Sequence, residues 1–280
     1  MNSMCRVLGV SRSGFYAWVR RPESDRTKAN RKLKVWIRAI HEGTRKSYGS
    51  PRIHEELKEL EEMKEANLTC GRHRVARLMR EDGLRAKAGK KFKVTTDSNH
   101  KLPVAENLVQ REFTVSEPNR VWVGDITYLW TREGWLYLAV LLDLFSRRVV
   151  GWSVSSRLKR GLVMDALQRA IALRAPEPGL IIHHDRGSQY ASDDYRAILD
   201  DRGYLLSMSR KGDCWDNAVS ESFFGSLKTE WVPEFGYETR KEGEIDLFRY
   251  IEEFYNRTRR HSTVGNVSPV RFENEAVAIT

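Results

Sequence analysis

Cysteine is scarce in this 280-residue chain. Its three cysteines, Cys5, Cys70 and Cys214, are far apart and odd in number. That argues against a disulfide framework and a four-cysteine zinc site, and points to a reducing cytoplasm. Long apolar runs are missing too, so no stretch reads as a membrane span. The opening MNSMCRVLGVSRSGFYAW has no apolar core followed by a small-residue cleavage site, so it does not read as a signal peptide. Internal repeats and low-complexity segments are also absent.

Acidic charge is missing from one half only. Residues 1–100 carry 24 Lys and Arg against 12 Asp and Glu, whereas the remaining 180 carry 24 against 26. A basic front half joined to a near-neutral back half suggests a polyanion-binding region attached to something else, with nucleic acid as the partner.

Four regions separate along the chain. Residues 1–30 contain LGVSRSGFYAWVRR, a short helix, a glycine turn and a helix capped near Ser11, a partial helix-turn-helix. Residues 31–86 read as a helical DNA-binding domain. In its last helix Val75, Leu78 and Met79 form an apolar stripe, while His73, Arg74, Arg77 and Arg80 fall on the opposite side. Such a helix suits DNA backbone or groove, although a solvated charged face has the same pattern. Residues 87–118 read as a basic linker: RAKAGKKFK, at residues 85–93, has five cations and no acid.

Residues 119–275 change to strands. VWVGDITYLW and GWLYLAVLLDLFSRRVVGWSVSS supply three strands, the last two joined near 145–147. Helix, strand, helix, strand and helix follow. An antiparallel meander continued by parallel crossovers makes a mixed five-stranded α/β sheet flanked by helices. The tryptophans of the first strand are expected in the core.

Three acids stand out in that layout. Asp125 lies on the first strand, in the middle of the sheet. Asp185 ends the fourth strand, in HHDRGSQY, and Glu221 projects from the helix that follows, with Asp216 as its expected N-cap. Crowded carboxylates raise one another's pKa unless cations neutralise them. Hard divalent ions with oxygen ligands do so, and two such ions can serve phosphodiester chemistry. Zinc is disfavoured, because neighbouring histidines on a strand point to opposite faces. Asp143, buried in LLDLF, is a rival, and each acid taken singly has a structural reading.

Together, VWVGDITYL, HHDRGSQY and WDNAVSESFFGSLKTE resemble the active-site motifs of bacterial insertion-sequence transposases. These belong to the retroviral-integrase-like, ribonuclease-H-fold superfamily with an Asp-Asp-Glu triad. The likeness extends to CRVLGVSRSGFYAW, to YGSPRIHEEL with RVARLMREDGLRA, and to YIEEFYNRTRRHSTVGNVSPVRFE. The 35-residue gap before Glu221 and a basic residue seven positions after it, Lys228, fit that subgroup. Gly124 departs from it, since a polar residue more often precedes the first Asp. The departure is expected to be tolerated, because that position faces away from Asp125.

The resemblance implies a ribonuclease-H-like core behind helix-turn-helix-type segments, and a transposase using two Mg²⁺ ions, with Mn²⁺ as a substitute. Asp125 would bridge the ions, with Asp185 and Glu221 each completing one shell. Water would free a 3′-OH at the element's end, and that hydroxyl would attack a second phosphodiester, first joining end to end as a circle. Lys228, Arg74, Arg77, Arg80, Arg257 and Arg260 are the expected DNA contacts, with Arg259 beside them in NRTRRH. Expected partners are double-stranded DNA, further copies of the chain, and the helix-turn-helix and coiled-coil product of a first reading frame, of which this chain would be the second. The expected setting is the bacterial cytoplasm, at the nucleoid, with no membrane. Two other readings remain: a ribonuclease-H-like nuclease that never joins strands, and a non-catalytic DNA-binding repressor.

Overall fold

A computed structural model describes residues 2–87, 105–110, 112–210 and 217–278. Most of the expected basic linker, together with Asp216, Trp215 and Cys214, lies outside the described residues. The chain forms two compact units, one ending at Ala86 and the other starting at Lys87.

The first unit is helical. Helices α1 (Asn2–Val7) and α2 (Arg12–Val19) flank a turn in which Gly9 takes a positive φ of 65°. Ser11 caps α2 by accepting a hydrogen bond from the Gly14 N–H. No residue of α2 is buried. Helix α3 (Asp25–Gly43) is capped by Ser24 and buries Leu33, Ile37 and His41. It packs with α4 (Ser50–Glu59) and α6 (Arg72–Glu81), beyond the short α5 (Glu61–Glu65). In α6 the buried residues are Val75, Leu78 and Met79, the expected stripe. Lys34 and Arg38 of α3 both pair with Asp82, at 2.8 and 2.6 Å, which ties α3 to the end of α6.

The second unit is built on one sheet: β1 (Val121–Thr131), β2 (Gly134–Asp143), β3 (Val149–Ser155), β4 (Ile181–His184) and β5 (Leu205–Met208). Its order is β3-β2-β1-β4-β5, antiparallel through the meander and parallel across β1, β4 and β5. This is the expected mixed five-stranded, ribonuclease-H-like arrangement, with β1 at its centre. Between β3 and β4 runs α7 (Arg160–Arg174), and between β4 and β5 runs α8 (Asp193–Asp200). Trp122, Leu141, Leu167, Ile182 and Tyr195 lie in the core these elements enclose. At Gly151 of β3 an added Cβ would come within 2.6 Å of Ala170 Cβ, so the absence of a side chain lets α7 lie against the sheet.

Helix α9 (Ala218–Glu230) follows β5. The N-cap position belongs to Asn217 rather than to Asp216, and its side chain makes no capping bond. Then come α10 (Arg240–Phe248), a π-helical turn (Arg249–Tyr255) and α11 (Pro269–Val277).

Asp143 has a structural task. Its carboxylate accepts from the Asn119 and Phe145 N–H groups at 2.7 and 2.9 Å and lies 3.5 Å from Arg174. Arg174 and Arg148 also hold Glu273, which fastens α11 to the end of the meander.

Candidate active site

The ladder between β1 and β4 determines where the acids sit. Its last pair is Gly124 with His184, so Asp125 and Asp185 leave it at the same level. Paired neighbours share a face and the pleat alternates. Asp125 and Asp185 therefore occupy one face, and His184 the other, against Gly124. Asp185 Oδ1 accepts from the Gly187 N–H at 2.9 Å, which accounts for the sharp turn after the strand. Asp125 Oδ1 accepts from its neighbour Ile126 at 2.7 Å.

Negative charge is concentrated at this place. Burial, then the Asp185 and Glu221 carboxylates, push Asp125 well above the usual carboxylate range. Among the described residues, the Ile126 N–H and the Lys228 ammonium act in the other direction. Glu221 is also raised, by burial. Lys228, two turns along α9 from Glu221, is lowered by burial and supported by Asp125. Its Nζ also lies 5.3 Å from the centre of the Tyr128 ring, a cation–π contact.

Among the described residues, no group of three His, Cys, Asp or Glu side chains is arranged to hold a metal ion. The donor set nonetheless fits a hard divalent cation. It is all carboxylate oxygen, and Mg²⁺ needs only one or two protein carboxylates beside water and substrate.

The two histidines before Asp185 work in opposite directions. His183 is buried on one face, with Nδ1 2.8 Å from Ser207 Oγ and Nε2 3.2 Å from Ser209 Oγ, which ties β4 to β5. His184 stacks on Tyr190 with ring centres 3.8 Å apart, and its Nε2 lies 2.7 Å from the Tyr195 hydroxyl. Burial holds its pKa down at about 3, so it is a neutral ring at ordinary pH. Burial raises both tyrosines, and for Tyr190 the Asp125 and Asp185 charges add to the effect. Asp185 thus emerges directly from a clamped aromatic stack. The expectation for Gly124 was right about direction and silent about what fills that side. An added Cβ would fall within 2.6 Å of His184 Nδ1 and 2.8 Å of Leu141 Cδ2.

The expected DNA contacts divide. Arg77 and Arg80 are exposed, with Arg77 paired to Glu81 within its own helix. Arg74 departs from the expected charged face: it is half-buried, donating to Asn30 Oδ1 at 2.9 Å and to the Thr69 carbonyl at 3.3 Å. Arg257 is exposed. Arg260 is buried and donates to the Asn266 carbonyl at 2.9 Å, so it is committed to the fold. Arg259 is buried as well, gripping Glu230 of α9 through two bonds of 2.6 Å and reaching Ser226 at 3.0 Å. Arg259 thus braces the helix that carries Glu221. Arg259→Ala, which strands a buried carboxylate, is expected to destabilise the catalytic unit by about 3–5 kcal/mol. Arg257→Ala should stay within about 0.5 kcal/mol. Denaturant titration of both variants checks the contrast.

Sequence reasoning also missed the aromatic surface beyond Asp125. Trp122 is fully buried as expected, but Trp130 is 50% exposed and Trp135 43%. The register Trp130↔Trp135 is the signal that could have exposed it, since two bulky rings at a hairpin's tip stand side by side.

Comparison with known proteins shows the family. Residues 115–214 and 221–277 match models described as an integrase core domain, and residues 28–92 match an HTH-like domain. The chain is 46% identical over 272 residues to a 31 kDa protein of insertion element IS600 from Shigella sonnei, covering 97% of this chain and 98% of that protein. It is 44% identical over 280 residues to the transposase InsF of insertion sequence IS3A from Escherichia coli K12, covering 99% and 95%. A simian T-cell lymphotropic virus intasome component superimposes with a TM-score of 0.47 at 15% identity, over 85% of this chain and 74% of that one. No helix among the described residues is long and apolar enough to cross a membrane.

Proposed function

Since the chain belongs to the insertion-sequence transposases with an integrase core, we propose that it cuts the ends of its element and joins the freed 3′-OH to a second phosphodiester, with Asp125, Asp185 and Glu221 as the catalytic acids. The observation that carries this reading is that Asp125 and Asp185 leave the β1–β4 ladder at the same level, with Asp125 raised by burial and by the Asp185 and Glu221 charges beside Lys228. A buried carboxylate crowded by like charge on a sheet's central strand suits a site that takes up cations with its substrate.

Asp125, Asp185 and Glu221 would hold Mg²⁺, or Mn²⁺ in its place. A pair of such ions supplies activation of the attacking oxygen and charge stabilisation of the leaving one. In the first step water adds to phosphorus at the element's end, the P–O3′ bond breaks, and the departing oxygen takes a proton to become the 3′-OH. In the second, that hydroxyl loses its proton, attacks another phosphodiester and displaces its 3′-oxygen. No covalent bond to the protein forms at either step. The stacked His184, Tyr190 and Tyr195 hold the strand end that presents Asp185, and the Gly187 N–H orients its carboxylate. Lys228 offers a cation to the phosphate next to Asp125. Arg77, Arg80 and Arg257 remain candidates for backbone contact, the helical unit reading the duplex. Pairing two element ends calls for more than one copy of the chain, and the first-frame product is a further proposed partner.

The test is a strand-transfer assay with DNA carrying the inverted repeats that flank the gene, in Mg²⁺ or Mn²⁺. Joined products from the wild type, and none from Glu221→Gln with DNA binding retained, are expected. Cleavage without joining would leave a nuclease, and binding without reaction after adding back the first-frame product would leave a repressor.

A further inference from the structure

We propose that the aromatic surface on the extension of β1 and β2, which lies on the Gly124 side of the strand and is linked to the acids through Lys228, is a stacking platform for unpaired DNA bases near the cleaved phosphodiester. β4 stops at His184, whereas β1 runs on to Thr131. Over that extension Tyr128 is half-buried and Trp130 is exposed. Their partners across the hairpin are Tyr137 and Trp135. Trp135 meets both Tyr128 and Trp130 edge to face, with ring centres 4.9 and 5.1 Å apart. The rings therefore brace one another in fixed orientations while large apolar area stays in water.

Phe235 extends the surface. It is 88% exposed, and the next residue, Gly236, sits so close to Trp130 that an added Cβ would come within 3.1 Å of Trp130 Cδ1. Among the exposed apolar residues of this unit, this group stands out for being aromatic throughout and for its contact with Lys228 through the Tyr128 ring.

Continuity with the acidic site identifies the occupant. Lys228 lies over the Tyr128 ring and is also within electrostatic reach of Asp125, so one cation links platform and acids. At about 3.4 Å per strand residue, Tyr128 and Trp130 stand roughly 10 and 17 Å from Asp125, about three to five stacked nucleotides. Sheet-borne aromatics beside a cation take up unpaired bases without regard to sequence, since every base has a π-face. The inference rests on the transposase reading for its substrate, but its readout is binding rather than catalysis.

Full-length wild type and the double variant Trp130→Ala/Trp135→Ala would be titrated by fluorescence anisotropy. The probes are a blunt element-end duplex and the same duplex with its last four base pairs mismatched. Wild type should prefer the unpaired end by about tenfold. The double variant should lose that preference, keep blunt-end affinity within about twofold, and recover the preference as Trp130→Phe/Trp135→Phe. Both positions are largely solvent-facing, so the fold should survive; a circular dichroism melt checks it. Equal binding of the two DNAs by wild type, or an unchanged preference in the double variant, would overturn the proposal. So would a double variant that dissociates in sedimentation with its DNA preference intact, since the surface would then be a contact between copies. If strand transfer fails while the tryptophan-dependent preference holds, the transposase reading falls and the platform stands.

Discussion

Gly124→Ser is expected to destabilise the catalytic unit by about 1–3 kcal/mol, through overpacking, and to cut strand transfer by roughly 100-fold. The cause is the imidazole of His184. It occupies the place where a side chain at 124 would begin, 2.6 Å from an added Cβ at Nδ1. The ring has nowhere to go. Tyr190 is stacked on it at 3.8 Å, Tyr195 holds its Nε2, and Leu141 closes the remaining side. Moving it drags the next residue, Asp185, away from the level of Asp125, so activity should fall further than stability. Thermal melts and the strand-transfer assay separate the two effects. The double variant Gly124→Ser/His184→Ala should regain most of the lost stability, giving a favourable coupling between the sites. Additive losses would show that the clash is not what matters.

Asp125→Asn should do the opposite to stability while removing activity. Asp125 has a folded-state pKa well above its ordinary value because of burial and its acidic neighbours. An acid with a raised pKa binds more protons in the folded than in the unfolded state, so stability falls as pH rises from the ordinary value through the raised one. At neutral pH the burden is present whenever no cation offsets it. The amide keeps the shape and drops the charge. With divalent ions chelated, Asp125→Asn should therefore melt higher than wild type at pH 7, and the gap should shrink toward pH 4. Added Mg²⁺ should raise the wild-type melting temperature and leave the variant little changed. Strand transfer should drop by about 10³-fold or more, the scale of losing metal-assisted charge stabilisation. A variant that is less stable at neutral pH, or still active, would remove Asp125 from the centre of the site.

Opposite signs on stability at adjacent positions follow from the strand's two faces. Position 124 looks into a packed aromatic stack, where added volume is the problem. Position 125 looks into the carboxylates, where charge is the problem.

Much of this was legible before any coordinates. Strand order, the place of Asp125 on the central strand and the apolar stripe of α6 follow from periodicities of 2 and 3.6, which are local properties. So does the pairing of Glu221 with Lys228 on one side of a helix. Which polar residues are spent on the fold was not legible. Arg74, Arg259 and Arg260 read as cations free for phosphate, and their partners Asn30, Glu230 and Asn266 lie up to 44 residues away or on another element. Asp143 looked as eligible as Asp125. Backbone N–H groups at 119 and 145 and the Arg174 guanidinium set it apart.

The sequence by itself therefore determined the fold class and the family and singled out the three acids proposed here, because these rest on short-range patterns and on motifs whose chemistry tolerates few substitutes. Only the tertiary structure decided that Gly124 makes room for His184, that Arg259 braces α9, and that Trp130 and Trp135 are partly exposed to water. Those outcomes depend on where β4 stops, which leaves one side of β1 open, and on which side chains meet across long stretches of chain. Charge and hydropathy say that a residue seeks a partner, and packing alone says which partner it finds.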